Sequence, residues 1–288
     1  MPPKTRAFRI VDALLLGLML LPLIAGMVLN VLVSPYSTEI EISGALIYFT
    51  IPMPLQDLPI TESQVNSWLV MLSLFALCLY LTHGIAAKPQ TRRQLLAEWI
   101  VEKTENLVSE NRGSYFSGFA PFVGAILGLS AFSSLMTLIG LYPPTSDLNV
   151  VGGWAILVFL LITFYKMKCG LLHYLKSFGD PLPLLTPLNI ISEVATPVSM
   201  TFRHYGNVLS GTVISALVSA ALQGLSRAVL QWLPGMLSQF PLFQIGLPAV
   251  LSIYFDIFSG CLQAFIFAML TMLYISLSLI HIWMRSSP

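Results

Sequence analysis

Six stretches of this chain are apolar for long enough to cross a lipid bilayer, and that limits its fold more than anything else. They cover residues 12–33, 64–84, 119–142, 149–165, 187 to about 225, and 242–283. A hydrocarbon core about 30 Å thick takes about 20 helical residues to cross. Inside lipid the backbone must satisfy its own hydrogen bonds, so spanning segments of this kind are helices. Only 9% of the 288 residues are charged, against about 25% in an average soluble domain. The expected fold is therefore an all-α polytopic membrane protein, one membrane domain over residues 1–288.

The stretches between the spans add detail. Residues 34–63 read as a loop, with Glu39, Glu41, Asp57 and Glu62, three prolines after Pro35, and no Lys or Arg. Residues 90–112 mix charges with Leu95, Leu96, Trp99, Ile100, Leu107 and Val108, which predicts an amphipathic helix on the membrane surface. The middle spans with that helix occupy residues 64–168. A Pro- and Gly-containing connector covers 171–187. The last two spans form a hairpin over 187–285. At 39 and 42 residues they would be about 58 and 63 Å long as helices. They must therefore be strongly tilted, broken or protruding, with Pro187, Pro197 and Pro248 as places for kinks or starts.

Basic residues set the expected orientation. With both termini in the cytoplasm, Lys4, Arg6, Arg9, Lys88, Arg92, Arg93, Lys103, Arg112, Lys166, Lys168, Lys176 and Arg285 lie inside, and only Arg227 lies outside. The reverse orientation breaks the positive-inside rule.

Several function classes find no support. The net charge of +1 gives no reason to expect a nucleic-acid partner. Metal-protease, P-loop, nucleophile-elbow and dinucleotide motifs are absent, so no cofactor, no metal and no enzymatic chemistry is expected. Cys78, Cys169 and Cys261 fall in or beside apolar segments without a CxxC pair, which fits buried thiols better than a disulfide frame.

The one basic residue expected within the membrane is Arg203. A charge at that depth costs about 2.5–3.5 kcal/mol on insertion scales. Thr196, Ser199, Arg203, Asn207 and Ser210 share a helical face, with Gly206 beside them. In the last span Ser252, Asp256, Ser259 and Gln263 do the same, and Thr271, Tyr274 and Ser278 follow after an apolar turn. Small and polar residues often simply hold membrane helices together. A buried Arg203–Asp256 ion pair is the plain structural alternative to an ion path.

The residues around Arg203 carry a resemblance. Pro197-Val198-Ser199 leading into Arg203-His204-Tyr205-Gly206-Asn207 is similar to the essential-arginine helix of subunit a of F-type ATP synthases. Gln263-Ala264-Phe265-Ile266-Phe267 is similar to the core of that family's last helix. Upstream, Gly140-Leu141-Tyr142-Pro143 and Pro144-Thr145-Ser146-Asp147-Leu148-Asn149-Val150 resemble a third family segment. The order of the three is the family's own. Residues 1–35 form a span additional to the minimal pattern.

The resemblance implies a non-catalytic, ion-translocating stator subunit in an energy-coupling membrane such as the bacterial plasma membrane. Its implied partners are a rotor ring of small hairpin subunits, the peripheral stalk and the lipid itself. Arg203 would face the ring, and Asn207 and Gln263 would orient it and line the path. Asp256 falls where relatives carry His or Glu in the outer half-channel. Thr212 falls where many carry an acidic or histidine partner. Glu193 and Ser199 would line the inner half-channel. His204 replaces a common leucine; it reads either as a titrating group or as a hydrogen-bonded packing residue. The coupling ion is H⁺ or Na⁺. A secondary transporter is the rival from another class, but the chain shows no internal repeat.

Overall fold

The computed structural model describes residues 6–33, 44–54, 56–86, 91–112, 118–168, 186–232 and 246–286, together with Tyr174, Phe178, Leu184 and Phe243. Helix α1 (Arg6–Val33) is followed by a short hairpin, β1 (Ile47–Ile51) and β2 (Leu58–Thr61). Then come α2 (Glu62–Thr82), α3 (Arg92–Arg112), α4 (Ala120–Leu135) and α5 (Leu148–Lys168). The chain closes with α6 (Thr186–Leu230), α7 (Leu247–Ser252), a π-helical turn (Ile253–Ser259) and α8 (Gly260–Ser286). Among the described residues six helical stretches are long and apolar enough to span a membrane, and α3 is not one of them. The chain is a multi-pass, all-α membrane protein, as its apolar runs require.

Polar contacts give each end of the bundle its own ties. Where α1 begins, here the near side, Asp12 accepts hydrogen bonds from Arg93 Nη1 at 2.7 Å and His83 Nδ1 at 3.1 Å. The Arg93 guanidinium also lies 5.2 Å from the ring centres of Phe8 and Tyr80. Where α1 ends, the far side, Asn30 Nδ2 donates to Gly140 O at 3.0 Å and to Glu62 Oε1 at 3.4 Å. Between them Ser73 Oγ donates to Met19 O at 3.0 Å. The additional first span is thus tied to α2 along its whole length.

Helices α4, α5 and α8 form the centre. Ala264, Phe267, Ala268, Thr271, Met272 and Ile275 are buried on α8, a stripe at helical spacing. Phe267 and Ile275 pack with Ile126 of α4, with Ala155, Val158 and Ile162 of α5, and with Met200 of α6. Ala268 and Met272 meet Val108 of α3 and Val123 of α4. So α3 is held by its Val108 end, while Leu95, Leu96, Trp99 and Ile100 stay exposed. This is the pattern of a helix lying at an apolar interface.

Small residues let these helices approach. A Cβ on Gly260 would lie 2.8 Å from the Cβ of Ser134, so α8 begins in near-backbone contact with α4. Gly260→Ala is expected to destabilise the protein by about 1–3 kcal/mol through overpacking. Gly206→Ala, which meets nothing within 4 Å, is expected to be neutral. The midpoint of heat inactivation of the purified protein measures both. The turn after α4 needs glycine for another reason. Gly140 has φ +76 and closes the helix end with Leu141 N→Met136 O at 3.1 Å and its own N–H to Thr137 O at 3.0 Å, a left-handed cap that favours Gly.

Four sequence expectations change. Part of the 34–63 loop is a hairpin, pairing Phe49 with Ile60 and Ile51 with Leu58. Its strands are too short to show alternation, but their Ile, Thr, Tyr and Phe content favours pairing. Pro197 does not break α6, which runs unbroken for 45 residues, about 68 Å. The irregularity of the hairpin lies instead in the π turn of the last span. Cys78 and Cys261 are free but exposed on the bundle surface. A surrounding of lipid is itself apolar, so a thiol there needs no protein core. Cys169 and most of the 171–187 connector lie outside the described residues.

Candidate functional site

Arg203 lies on the exposed side of α6 and makes no ion pair or hydrogen bond among the described residues. It shares its helical face with Thr196, Ser199, Asn207 and Ser210, of which Ser199 and Ser210 are exposed, while the exposed apolar residues Ile191, Val194, Val198 and Phe202 lie on another side of the helix. A single fixed cation thus stands in a narrow polar stripe. Asp256 is half-buried and lies in the middle of the π turn. Its carboxylate lies near the side chains of Ser252 and, just past the far end of α4, Thr137. The structure shows no Arg203–Asp256 ion pair among the described residues, so the plain alternative for those two charges is not what forms.

What joins the two polar stripes is Asn207. Its Nδ2 donates to Ser259 Oγ at 2.8 Å, and the hydroxyl reaches back to Asn207 Oδ1 at 3.2 Å. This ties α6 to the end of the π turn, three residues from Asp256. Nearby, Gly211 brings α6 against Phe255, whose Cβ would lie 3.1 Å from an added Cβ. A π turn carries one residue more per turn than an α-helix and is often found at functional sites. Here it holds Asp256 and Ser259 toward two different helices.

The remaining sequence-predicted residues spread over the membrane depth. Gln263 is buried on α8 and makes no hydrogen bond among the described residues. Thr212 bonds its own helix, Oγ1→Leu209 O at 2.8 Å. Ser199 is exposed on α6. Glu193 sits near the near side and accepts from Lys166 Nζ at 2.7 Å and from Tyr174 OH at 3.3 Å. His204 is fully buried between α4, α5 and α8, on another face from Arg203.

Sequence reasoning missed partners more than sites. Lys166 is legible only as an orienting base, yet it pairs with Glu193. A second polar group forms at the far side. Ser63 Oγ donates to Asp147 Oδ2, Asn66 Nδ2 donates to Tyr142 O at 2.9 Å, and Glu62 is buried beside them. Burial, reinforced by the charge of Asp147, pushes the Tyr142 phenol above its ordinary range. Tyr142 therefore stays a neutral donor, toward Ser146 O at 3.4 Å. The resemblance around 140–150 points to this segment, but nothing in the sequence joins it to residues 62–66.

Comparisons with known proteins show the family of the chain. A model of the family described as ATP synthase A chain matches residues 64–276. The chain is 29% identical over 215 residues to "ATP synthase subunit a 1" of Crocosphaera subtropica, covering 74% of this chain and 84% of that one. It is 30% identical over 215 residues to "ATP synthase subunit a 2" of Acaryochloris marina, covering 74% and 82%. It is 26% identical over 272 residues to "ATP synthase subunit a, sodium ion specific" of Propionigenium modestum, covering 83% and 86%. With the family pattern running from α2 into α8 and Arg203 within it, this chain belongs to the subunit a family of ATP synthases and has the ion-translocating role of that family's membrane sector.

Proposed function

We propose that this chain is the proton-translocating stator subunit, offering two offset half-channels to a rotor ring and coupling ion flow to ATP synthesis. The observation that carries this reading is Arg203: a permanent cation, exposed in the polar stripe of an otherwise apolar helix and unpaired among the described residues. A carboxylate riding a rotor through lipid must be neutral, because its ionised form is costly to bury. Beside a fixed cation the ionised form becomes favourable, and the carboxylate releases its ion. Arginine suits the task because it stays charged and is weakly hydrated. It also repels a cation that would leak directly from one half-channel to the other.

Asp256, with Gln263, Thr212 and the neighbouring hydroxyls, lines the outer half-channel in this reading. Glu193 and Ser199 line the inner one. Asn207 holds the arginine-bearing helix to the outer path, and His204 serves the same site from the core side. The near side is cytoplasmic, so both termini lie inside an energy-coupling membrane. The rotor ring and peripheral stalk supply the partners, and nucleotide chemistry belongs to other subunits.

Ion identity has a second reading, because one relative is named as sodium ion specific. ATP-driven uptake into vesicles carrying the purified complex separates the two. Proton uptake independent of added Na⁺ is expected. Hydrolysis that requires Na⁺ assigns the sodium version. A saturable solute exchange by the chain alone, with no ring of small hairpin subunits co-purifying, overturns the motor reading in favour of a transporter.

A further inference from the structure

We propose that His204 is a positioning residue for Arg203. It sets the rotation of α6 from inside the bundle rather than carrying the ion. This rests on the stator reading of Arg203. The imidazole is 0% exposed. Three other helices meet it. Ser130 Oγ of α4 lies 3.3 Å from Nε2. Trp154 of α5 packs edge-on with ring centres 6.3 Å apart, and Phe267 of α8 does the same at 5.6 Å.

Adjacent residues on a helix point about 100° apart. Fixing the direction of residue 204 therefore fixes that of residue 203. Arg203 itself has no partner among the described residues to hold it. Six residues upstream, Pro197 lacks the N–H that would bond the preceding turn, so α6 is less constrained there than a regular helix. Downstream, the Asn207–Ser259 tie holds α6 to the π turn alone. In the arginine's own turn His204 and Met200 both face α4, α5 and α8, and His204 is the one adjacent to the arginine. The ring is also badly placed to conduct. Nδ1 is buried and meets no partner among the described residues, so no side chain described there takes a proton from Nε2 onward.

The test uses the whole ATP synthase in membrane vesicles. Assembly, ATP hydrolysis, ATP-driven proton uptake and passive proton leak are read together, with Arg203→Ala in parallel. His204→Gln keeps an N–H within reach of Ser130. It is expected to retain at least about half the pumping per assembled complex, with an unchanged pH profile. His204→Ala is expected to lower pumping per assembled complex about tenfold or more and to raise the leak, as small misplacements of a working group do. Ser130→Ala should move the same readouts about two- to fivefold; it decides the matter if His204→Ala fails to assemble. Loss of pumping or a shifted pH profile in His204→Gln overturns the proposal, since either places the ring on the ion path. So does normal coupling per assembled complex in Ser130→Ala, or in His204→Ala where that variant assembles. If Arg203→Ala pumps normally, the stator reading itself fails, separately from this inference.

Discussion

Arg203→Ala abolishes ATP-driven ion pumping while the chain still inserts and the complex still assembles. The two halves of that expectation come from the same observation. Arg203 is exposed and unpaired among the described residues, so truncating it orphans no buried carboxylate and removes a charge that lipid disfavours. Stability should hardly change, as for substitutions away from buried networks. The charge is what makes ionisation of a passing rotor carboxylate favourable. Without it, release of the ion and the barrier between half-channels are lost together. Pumping should fall by about 10²-fold or more, the scale of removing a preorganised charge from a reacting centre. Passive leak should rise. Arg203→Lys should recover little, because an ammonium is compact and more strongly hydrated. Quenching of a pH-sensitive dye in vesicles, with hydrolysis followed separately, measures all three. Normal pumping by the alanine variant would remove the basis of the proposed function.

Asp256→Asn carries the second large effect, with a different signature. The carboxylate sits in the π turn near the Ser252 and Thr137 side chains. An amide there keeps the size and polarity but cannot accept and pass on a proton. Flux should fall about tenfold to 10²-fold, within the usual range for losing a positioned acid–base group. The leak should not rise, because Arg203 still separates the two sides. Asp256→Glu should retain a part of the flux. Passive proton conduction by the membrane sector, measured against the pH of the far-side solution, distinguishes these outcomes. Unchanged flux in Asp256→Asn at every pH would take Asp256 off the path.

The contrast between these residues shows what a sequence can disclose. Arg203 is legible because a lone cation among apolar residues is rare in a membrane helix, whatever surrounds it. Asp256 is legible by its spacing from Gln263. Its π turn is not, because an extra residue per turn leaves no compositional mark. Thr137, Ser130 and Lys166 are further beyond reach. Each is an ordinary residue in its own segment and gains a role only when a distant helix presents Asp256, His204 or Glu193 to it. His204 shows the limit well. Its chemistry allows titration, and only its surroundings of Ser130, Trp154 and Phe267 make it a packing residue facing the core.

By itself, then, the order of residues determined that the chain crosses a membrane as helices, and which residues it carries into lipid. Those outcomes follow from local physics: apolar runs partition, and a backbone in hydrocarbon must bond within its own segment. The tertiary structure alone decided which polar groups meet. It left Arg203 unpaired among the described residues, joined Asn207 to Ser259, and placed Asp256 near Thr137. Side-chain pairing depends on how helices rotate and approach one another, and that is set by close contacts such as Gly260 against Ser134, which no single segment encodes.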